Sequence, residues 1–308
     1  MQLNRRQFAS AAGAVLIAAR PSASQNTPLT VTLAMDRIRQ NIGVTWKEST
    51  IDGVKAGDGN ASVSGVAVTA MATMDILARA AREKTNLIVS LEPVYFSHND
   101  GPAPPNPQTA GGRGGGGGRG AGGIAPDDPV FLAKKDFTAK NGLAVIRLSD
   151  HWRLRTPDPF ALGLAQTMNW TRYRAGSDTR YDIPGITIGT LAETLANKLN
   201  VRAGIRVVGD PQTQVSRIGL LPGVSALAAS VKVLPECDVI VAGETREWES
   251  VEYAQDAVAA GQKKGLIMLG RVVSEEPGMN LCADWLRTLL PDVSVRWFSS
   301  GDPYWRPA

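Results

Sequence analysis

Three places in this chain bring ionisable side chains together, each directly after an apolar run. "NLIVS" leads into Glu92, Tyr95, His98 and Asp100. "LAVIRLS" leads into Asp150, His151, Arg153 and Asp158. "CDVIVAG" and "LIMLG" lead into Glu244 and Glu247, and into Arg271, Glu275 and Glu276. Short apolar runs of this kind read as buried strands, and in open α/β sheets ligands bind at the carboxyl ends of strands. Carboxylates and imidazoles drawn from several strand ends can hold two divalent ions with a bridging water, which is the apparatus of metal-assisted hydrolysis. On that reading the acids and the two histidines of these clusters are the candidates from which ligands would be drawn. The chain has two histidines in all, so such a site would favour hard, oxygen-seeking ions. Each residue also has a plainer use. His98 and His151 read equally as hydrogen-bonded loop histidines, Glu275 and Glu276 as helix first-turn acids favoured by the dipole, and Glu244 as a solvated acid.

Other chemistries find no footing. Ser149 lacks the Gly-x-Ser-x-Gly turn of a nucleophile elbow, and no Gly-x-x-x-x-Gly-Lys-Ser/Thr loop is present for nucleotide phosphates. The glycine tract "GGRGGGGGRGAGG" follows no strand and opens no helix, so it is not a dinucleotide fingerprint. Cys237 and Cys282 are too few for a thiolate zinc site, and their apolar neighbours predict buried thiols.

The elements that must position these residues alternate along the chain. Residues 30–42 read as a helix, the Gly- and Asp-rich stretch 43–65 as a loop, "GVAVTA" as a strand, "TMDILARAAREK" as an amphipathic helix and "NLIVS" as the next strand, which makes a β-α-β unit with parallel strands. A helix over "DPVFLAKKDFTAKNG" leads to the strand "LAVIRLSD" and the helix "PFALGLAQTMNW". Then follow the helix "TLAETLANKLN", strands in "VRAGIRVVG" and "VSRIGLLPG", and the helix "VSALAASVKVL". The strand "CDVIVAGE", the helix "SVEYAQDAVAAGQKKG", the strand "LIMLGR", the helix "PGMNLCADWLRTLL" and the strand "VSVRWFSS" complete the series. The class is therefore α/β. The expected division is a main α/β unit over 28–147 plus 265–308 and a middle unit over 148–264.

Two segments stand apart. "MQLNRRQFASAAGAVLIAARPSAS" (1–24) has paired arginines before an apolar run too short to span a bilayer, the pattern of a twin-arginine export signal. It predicts a periplasmic or extracellular protein with no membrane association after cleavage. The segment 101–123, rich in Gly and Pro, cannot bury enough apolar area to order itself and reads as a flexible insertion. Of the formal charge of +4 in 308 residues, three arginines belong to the leader, which leaves about +1 for the rest. That balance gives no electrostatic case for a nucleic-acid partner.

Four ordered pieces carry a resemblance. "TIDGVKAGDGNASVSGVAVTAMATMDILARAAREKTNLIVSLEP", "LAVIRLSDHWRLRTPD", "CDVIVAGE" and "LIMLGRVVSEEPGMNLCADWL" together resemble the Nif-three-like family, also labelled GTP cyclohydrolase I type 2 homologues. The resemblance spans most of 28–308. It implies two α/β units with mixed or parallel sheets, a dinuclear centre of a divalent metal (zinc, manganese, cobalt or iron) and a homohexamer. The ligand set departs from the family. Leu91 stands at the first place of its histidine pair, with Glu92 at the second. Arg271 stands where the family has histidine, and Glu275 matches its glutamate. The middle ligand falls at Arg153, or at Asp150 or Asp158 under a shifted alignment. A guanidinium stays protonated and repels cations. The residues thus point to an Arg/Glu pocket, with Arg153 paired to Glu92 and Arg271 to Glu275, suited to a small anionic ligand in a binding or scaffold protein. The alternative is a metal-dependent hydrolase-like enzyme in which Glu92 and Glu275 are ligands, helped by His98, Asp150 or His151.

Overall fold

Residues 28–100, 124–202 and 204–307 are described by the computed structural model of the chain. The expected leader (1–24) and glycine-rich insertion (101–123) lie outside the described residues. The elements run α1 (Val31–Asn41), β1 (Gly53–Ala56), β2 (Val66–Thr69), α2 (Met74–Arg82), β3 (Leu87–Ser90), α3 (Pro129–Lys140), β4 (Ala144–Arg147), a single-turn α4 (Asp150–Arg153), α5 (Pro159–Thr167), β5 (Arg180–Thr187), α6 (Ile188–Lys198), β6 (Arg206–Val208), β7 (Gln214–Val224), α7 (Leu227–Val233), β8 (Val239–Glu244), α8 (Glu252–Ala259), β9 (Gly265–Met268), α9 (Arg271–Leu289) and β10 (Val295–Trp297).

Helix starts follow local chemistry. The hydroxyls of Thr30, Thr73 and Thr187 accept the N–H of Leu33, Ile76 and Thr190 at the starts of α1, α2 and α6. Asp128 and Asp158 cap α3 and α5, each followed by a proline that needs no N–H partner there. Asp158 is therefore committed to capping.

Among the described residues the strands form two mixed five-stranded sheets, ordered β1-β4-β3-β2-β10 and β5-β7-β8-β9-β6. Each has a parallel centre: β4, β3, β2 and β10 in the first, and β7, β8 and β9 in the second. The edges β1, β5 and β6 pair antiparallel. Strand β9 lies in the second sheet, whereas the division by sequence assigned 265 onward to the first unit. Its run of buried residues is paired in register with β8, Val239 opposite Gly265 and Ala242 opposite Met268.

Because side chains alternate across a sheet, each sheet buries both faces. Val66, Val68, Leu87, Val89 and Ile146 face a core with α1 and α9, while Ala67, Ile88 and Val145 face α2 and α3. In the second sheet Val239 and Val241 face α5 and α6, and Ile240 and Ala242 face α7 and α8. Leu91 is wholly buried in the first of these cores.

Helix α9 begins six residues earlier than the sequence pattern suggested, at Arg271, and carries Pro277 inside it. Gly270, at φ +91°, makes the abrupt turn from β9 into the helix. Pro277 and Gly278 lie where α9 crosses α5. A Cβ on Gly163 of α5 would stand 2.5 Å from the Gly278 nitrogen. Both cysteines are free and buried. Among the described residues no helix is long and apolar enough to cross a membrane.

Candidate functional site

The carboxyl ends of the two parallel centres face one cavity of about 1150 Å³. The first sheet supplies Met71–Met74 after β2, Glu92 and His98 after β3, and Arg147, Ser149 and Arg153 from the end of β4 onward. The second supplies Val224 and Ser225 after β7, Glu244 and Arg246 at and after β8, and Arg271 after β9. Loops leaving parallel strands on the same side are where such sheets carry ligand sites.

At its centre four charged side chains form a closed lattice. Arg153 Nη2 lies 3.2 Å from Glu92 Oε1 and its Nη1 lies 2.5 Å from Glu275 Oε1. Arg271 Nη2 lies 2.5 Å from the same Glu92 oxygen, and its Nε lies 3.7 Å from Glu275 Oε2. Each carboxylate is shared by both guanidiniums. The pairs anticipated from sequence, Arg153 with Glu92 and Arg271 with Glu275, are both present, with two more across the diagonal. The side chain of Glu275 is 1% exposed, against 30% and 35% for Arg153 and Arg271. Burial pushes the Glu275 carboxyl above its ordinary range, and Arg153 beside it pulls it part of the way back.

The backbone is shaped around this lattice. Gly223, at φ +75° near the end of β7, has no room for a side chain, because a Cβ there would stand 2.3 Å from Glu275 Oε1. Ser274 on α9 accepts the Gly223 N–H at 2.9 Å and donates to the Arg271 carbonyl at 2.7 Å. A Cβ on Gly243 would stand 2.3 Å from that same hydroxyl oxygen. Two glycines thus let the first turns of α9 seat directly on the strand ends.

Asp150 and His151 face elsewhere. Around the single turn of α4, positions four apart share a face, so the N-cap Ser149 and Arg153 both line the cavity while Asp150 and His151 turn away. His151 is fully buried and stacks on Trp46 at 3.7 Å between ring centroids. Its Nδ1 pairs with Asp52 Oδ2 at 2.8 Å, and its Nε2 accepts the Lys47 N–H at 2.9 Å, so neither ring nitrogen is left for a metal. Asp52 also accepts the backbone N–H of Ser149, Asp150 and His151. Asp150 accepts from Ile51 N and Thr50 Oγ1. Burial opposes its charge, and those two donors hold its carboxyl below its ordinary value. Both candidates therefore bind the 46–52 loop to α4.

His98 is half-buried on the cavity wall, and its carbonyl accepts from Arg147 Nη1. Asp100, in the same loop, accepts the N–H groups of Val94 and Tyr95 and pairs with Arg147 at 3.2 Å. Glu276 turns away from the lattice to accept from Ser300 N and Gly301 N. Two residues that sequence reasoning passed over complete the picture. One is Asp52, hidden in a stretch read as loop. The other is Lys134, a cavity-lining lysine on α3 that is 4% exposed. Its signal was present: Phe131, Lys134 and Thr138 recur at helical spacing on the buried face.

A dinuclear metal centre does not fit these residues. Two guanidiniums occupy the space between the two carboxylates, and they neither coordinate nor tolerate a neighbouring cation. Among the described residues no group of three or more His, Cys, Asp or Glu side chains is placed to hold a metal ion.

Two mixed sheets with their strand ends turned onto a shared cavity define a recognisable class of α/β protein. No family model and no curated protein matches the chain by sequence. Solved structures do. A Staphylococcus aureus protein, SA1388, superposes with a TM-score of 0.65 at 15% identity, over 91% of this chain and 100% of its own. A Bacillus cereus protein related to NIF3 gives 0.62 at 13% identity, over 89% and 98%. Reduced HcgD from Methanocaldococcus jannaschii gives 0.56 at 11% identity, over 88% and 97%. The fold is that of the NIF3-like proteins, as the ordered motifs implied, and at these identities the fold is what is shared.

Proposed function

We propose that this chain is an exported binding protein on the NIF3-like fold, in which an arginine–glutamate lattice replaces a metal centre and offers its cavity to a small anion. The observation that carries this reading is the sharing of Glu92 and Glu275 between Arg153 and Arg271. A carboxylate engaged by two guanidiniums has little capacity left for a cation. Arginines with about a third of their side-chain surface open can still present forked donors to an oxyanion. The hydrolase-like alternative, with Glu92 and Glu275 as ligands, would require both arginines to withdraw.

Calorimetric titration separates the two. Wild-type protein is expected to give no stoichiometric heat with zinc, manganese, cobalt or ferrous iron, and to bind inorganic phosphate in a salt-sensitive way. The Arg153→His/Arg271→His double variant is expected to gain metal binding, because it replaces two fixed positive charges with two ligating imidazoles. Leu91→His is left out of this design, since that side chain lies in the core and a histidine there would be destabilising. Stoichiometric metal binding by wild type would return the hydrolase reading to first place.

Export rests on Arg5 and Arg6 ahead of a short apolar run. Fractionated cells are expected to show the native chain outside the cytoplasm and an Arg5→Lys/Arg6→Lys variant retained within it. Equal distribution of the two would remove export from the proposal. The homohexamer implied by the family resemblance belongs to the same proposal, and the solution mass of the purified protein tests it.

A further inference from the structure

Among the described residues five cations line the cavity: Lys134, Arg147, Arg153, Arg246 and Arg271. Four are ion-paired, Arg147 with Asp100, Arg153 and Arg271 within the lattice, and Arg246 with Glu249. Lys134 is the exception. Among the described residues its Nζ makes no hydrogen bond and no ion pair, and it lies over the ring of Phe96, 4.9 Å from the centroid. A lysine normally keeps its head in water while its stem covers apolar surface. At 4% exposure this one has no such outlet except the cavity it lines.

Burial brings its ammonium down to about 8, with the nearby Asp100 charge opposing the shift. The neutral amine is therefore far better populated near neutrality than at a surface lysine, and a desolvated amine of that kind is a nucleophile toward carbonyl carbon. Arg147 lines the same cavity and pairs with Asp100, the acid whose charge also reaches Lys134. The Arg147 side chain is 3% exposed. Its Nε and Nη1 are taken by Leu91 O, His98 O and Asp100, and its Nη2 makes no hydrogen bond among the described residues. Among the described residues neither the Lys134 amine nor the Arg147 Nη2 edge has an acceptor, and both residues line the cavity.

We propose that Lys134 is the reactive amine of this cavity, condensing with the carbonyl group of a small oxo acid whose carboxylate is held by Arg147. The proposal deepens the anion-binding reading and rests on it for the class of ligand. The Nζ lone pair adds to the carbonyl carbon, and a proton passes from nitrogen to the carbonyl oxygen to give a carbinolamine. Loss of that oxygen as water leaves the C=N bond of an imine. No oxidant or reductant is consumed, and the step is reversible.

The test is reductive trapping on the full chain. Wild-type protein is incubated with glyoxylate and sodium cyanoborohydride, and the modified lysines are located and timed by peptide mass mapping. Lys135, next on the same helix and exposed, is the internal standard. Modification at Lys134 is expected to be about tenfold faster or more than at Lys135, as the larger neutral fraction of a desolvated amine requires. Acetaldehyde, which has no carboxylate, is expected to lose most of that preference. Labelling of Lys134 no faster than Lys135 would overturn the assignment of the amine. An equal preference with acetaldehyde would overturn the assignment to oxo acids. Both lysines are read in one wild-type protein, so no variant that could misfold enters the comparison. The metal and phosphate titrations report on the lattice without Lys134, so the two readings fail separately.

Discussion

Arg153→Ala is expected to lower the unfolding free energy by about 2–4 kcal/mol, the cost of leaving a buried carboxylate without its partner. The loss falls slightly below that of a fully buried pair because Arg153 is itself 30% exposed while Glu275 is 1% exposed. Arg271 Nε, at 3.7 Å from the other oxygen, is too far to hydrogen-bond in its place. The pH dependence has a definite sign. The folded-state value of Glu275 is raised above its ordinary 4.5. Its protonation therefore adds stability that is fully present below that ordinary value and is lost as pH rises through the raised one. Removing Arg153 removes the interaction that pulls the value down, so the window widens upward. The deficit of the variant should accordingly be largest near neutrality and shrink on acidification. Urea denaturation of wild type and variant at about pH 7 and about pH 5 checks both parts. Adding Glu275→Gln to Arg153→Ala should recover part of the loss near neutrality. A pH-independent deficit would mean that the lattice stabilises through packing alone.

Gly163→Ala should be comparably damaging for a different reason. Alanine favours a helix over glycine by roughly 1 kcal/mol at an open helical position. Here the new methyl would stand 2.5 Å from the Gly278 nitrogen and the Pro277 carbonyl carbon, both of them backbone. Neither can rotate away, so α5 and α9 must separate, and overpacking of this kind costs about 1–3 kcal/mol, sometimes more. A fall in melting temperature of several degrees is expected, with altered packing under Arg271 and Glu275 as a secondary effect. Gly185→Ala is the control: its Cβ would meet only Gln214 Oε1, at 3.8 Å. A neutral Gly163→Ala would show that the helix crossing is looser than its geometry.

Most of the fold was legible because buried parallel strands announce themselves. "VAVT", "LIVS", "AVIR" and "GLIM" are short apolar runs, and each is buried along its whole length. The exceptions were edges. Strand β1, "GVKA", is half-exposed and read as loop, and β5 mixes buried and exposed positions around a proline. Periodicity also could not say which sheet a buried run would join, so β9 was grouped with the wrong neighbours. The start of α9 was hidden by Pro277, which usually opens a helix and here sits within one. At the site, Glu92, Arg153, Arg271 and Glu275 could be found because strand ends are readable. Asp150 and His151 shared that location in the chain, but a single helical turn rotates them off the cavity. Lys134 was missed because a lone lysine on an apolar helix face reads as a solvated one.

Strand β10 has a consequence for how the chain folds. It is the last strand, yet it pairs with β2, Val295 opposite Val66, at the edge of the first sheet. The whole of the second sheet is encoded between them. That pairing closes a very long loop, which places it among the slow, non-local steps of folding. Until the C-terminal segment has been synthesised, β2 presents an unpaired edge of four buried residues, open to pairing with another chain. The first sheet is thus begun before the second is synthesised and sealed only after it, and premature termination anywhere before Val295 leaves that edge exposed.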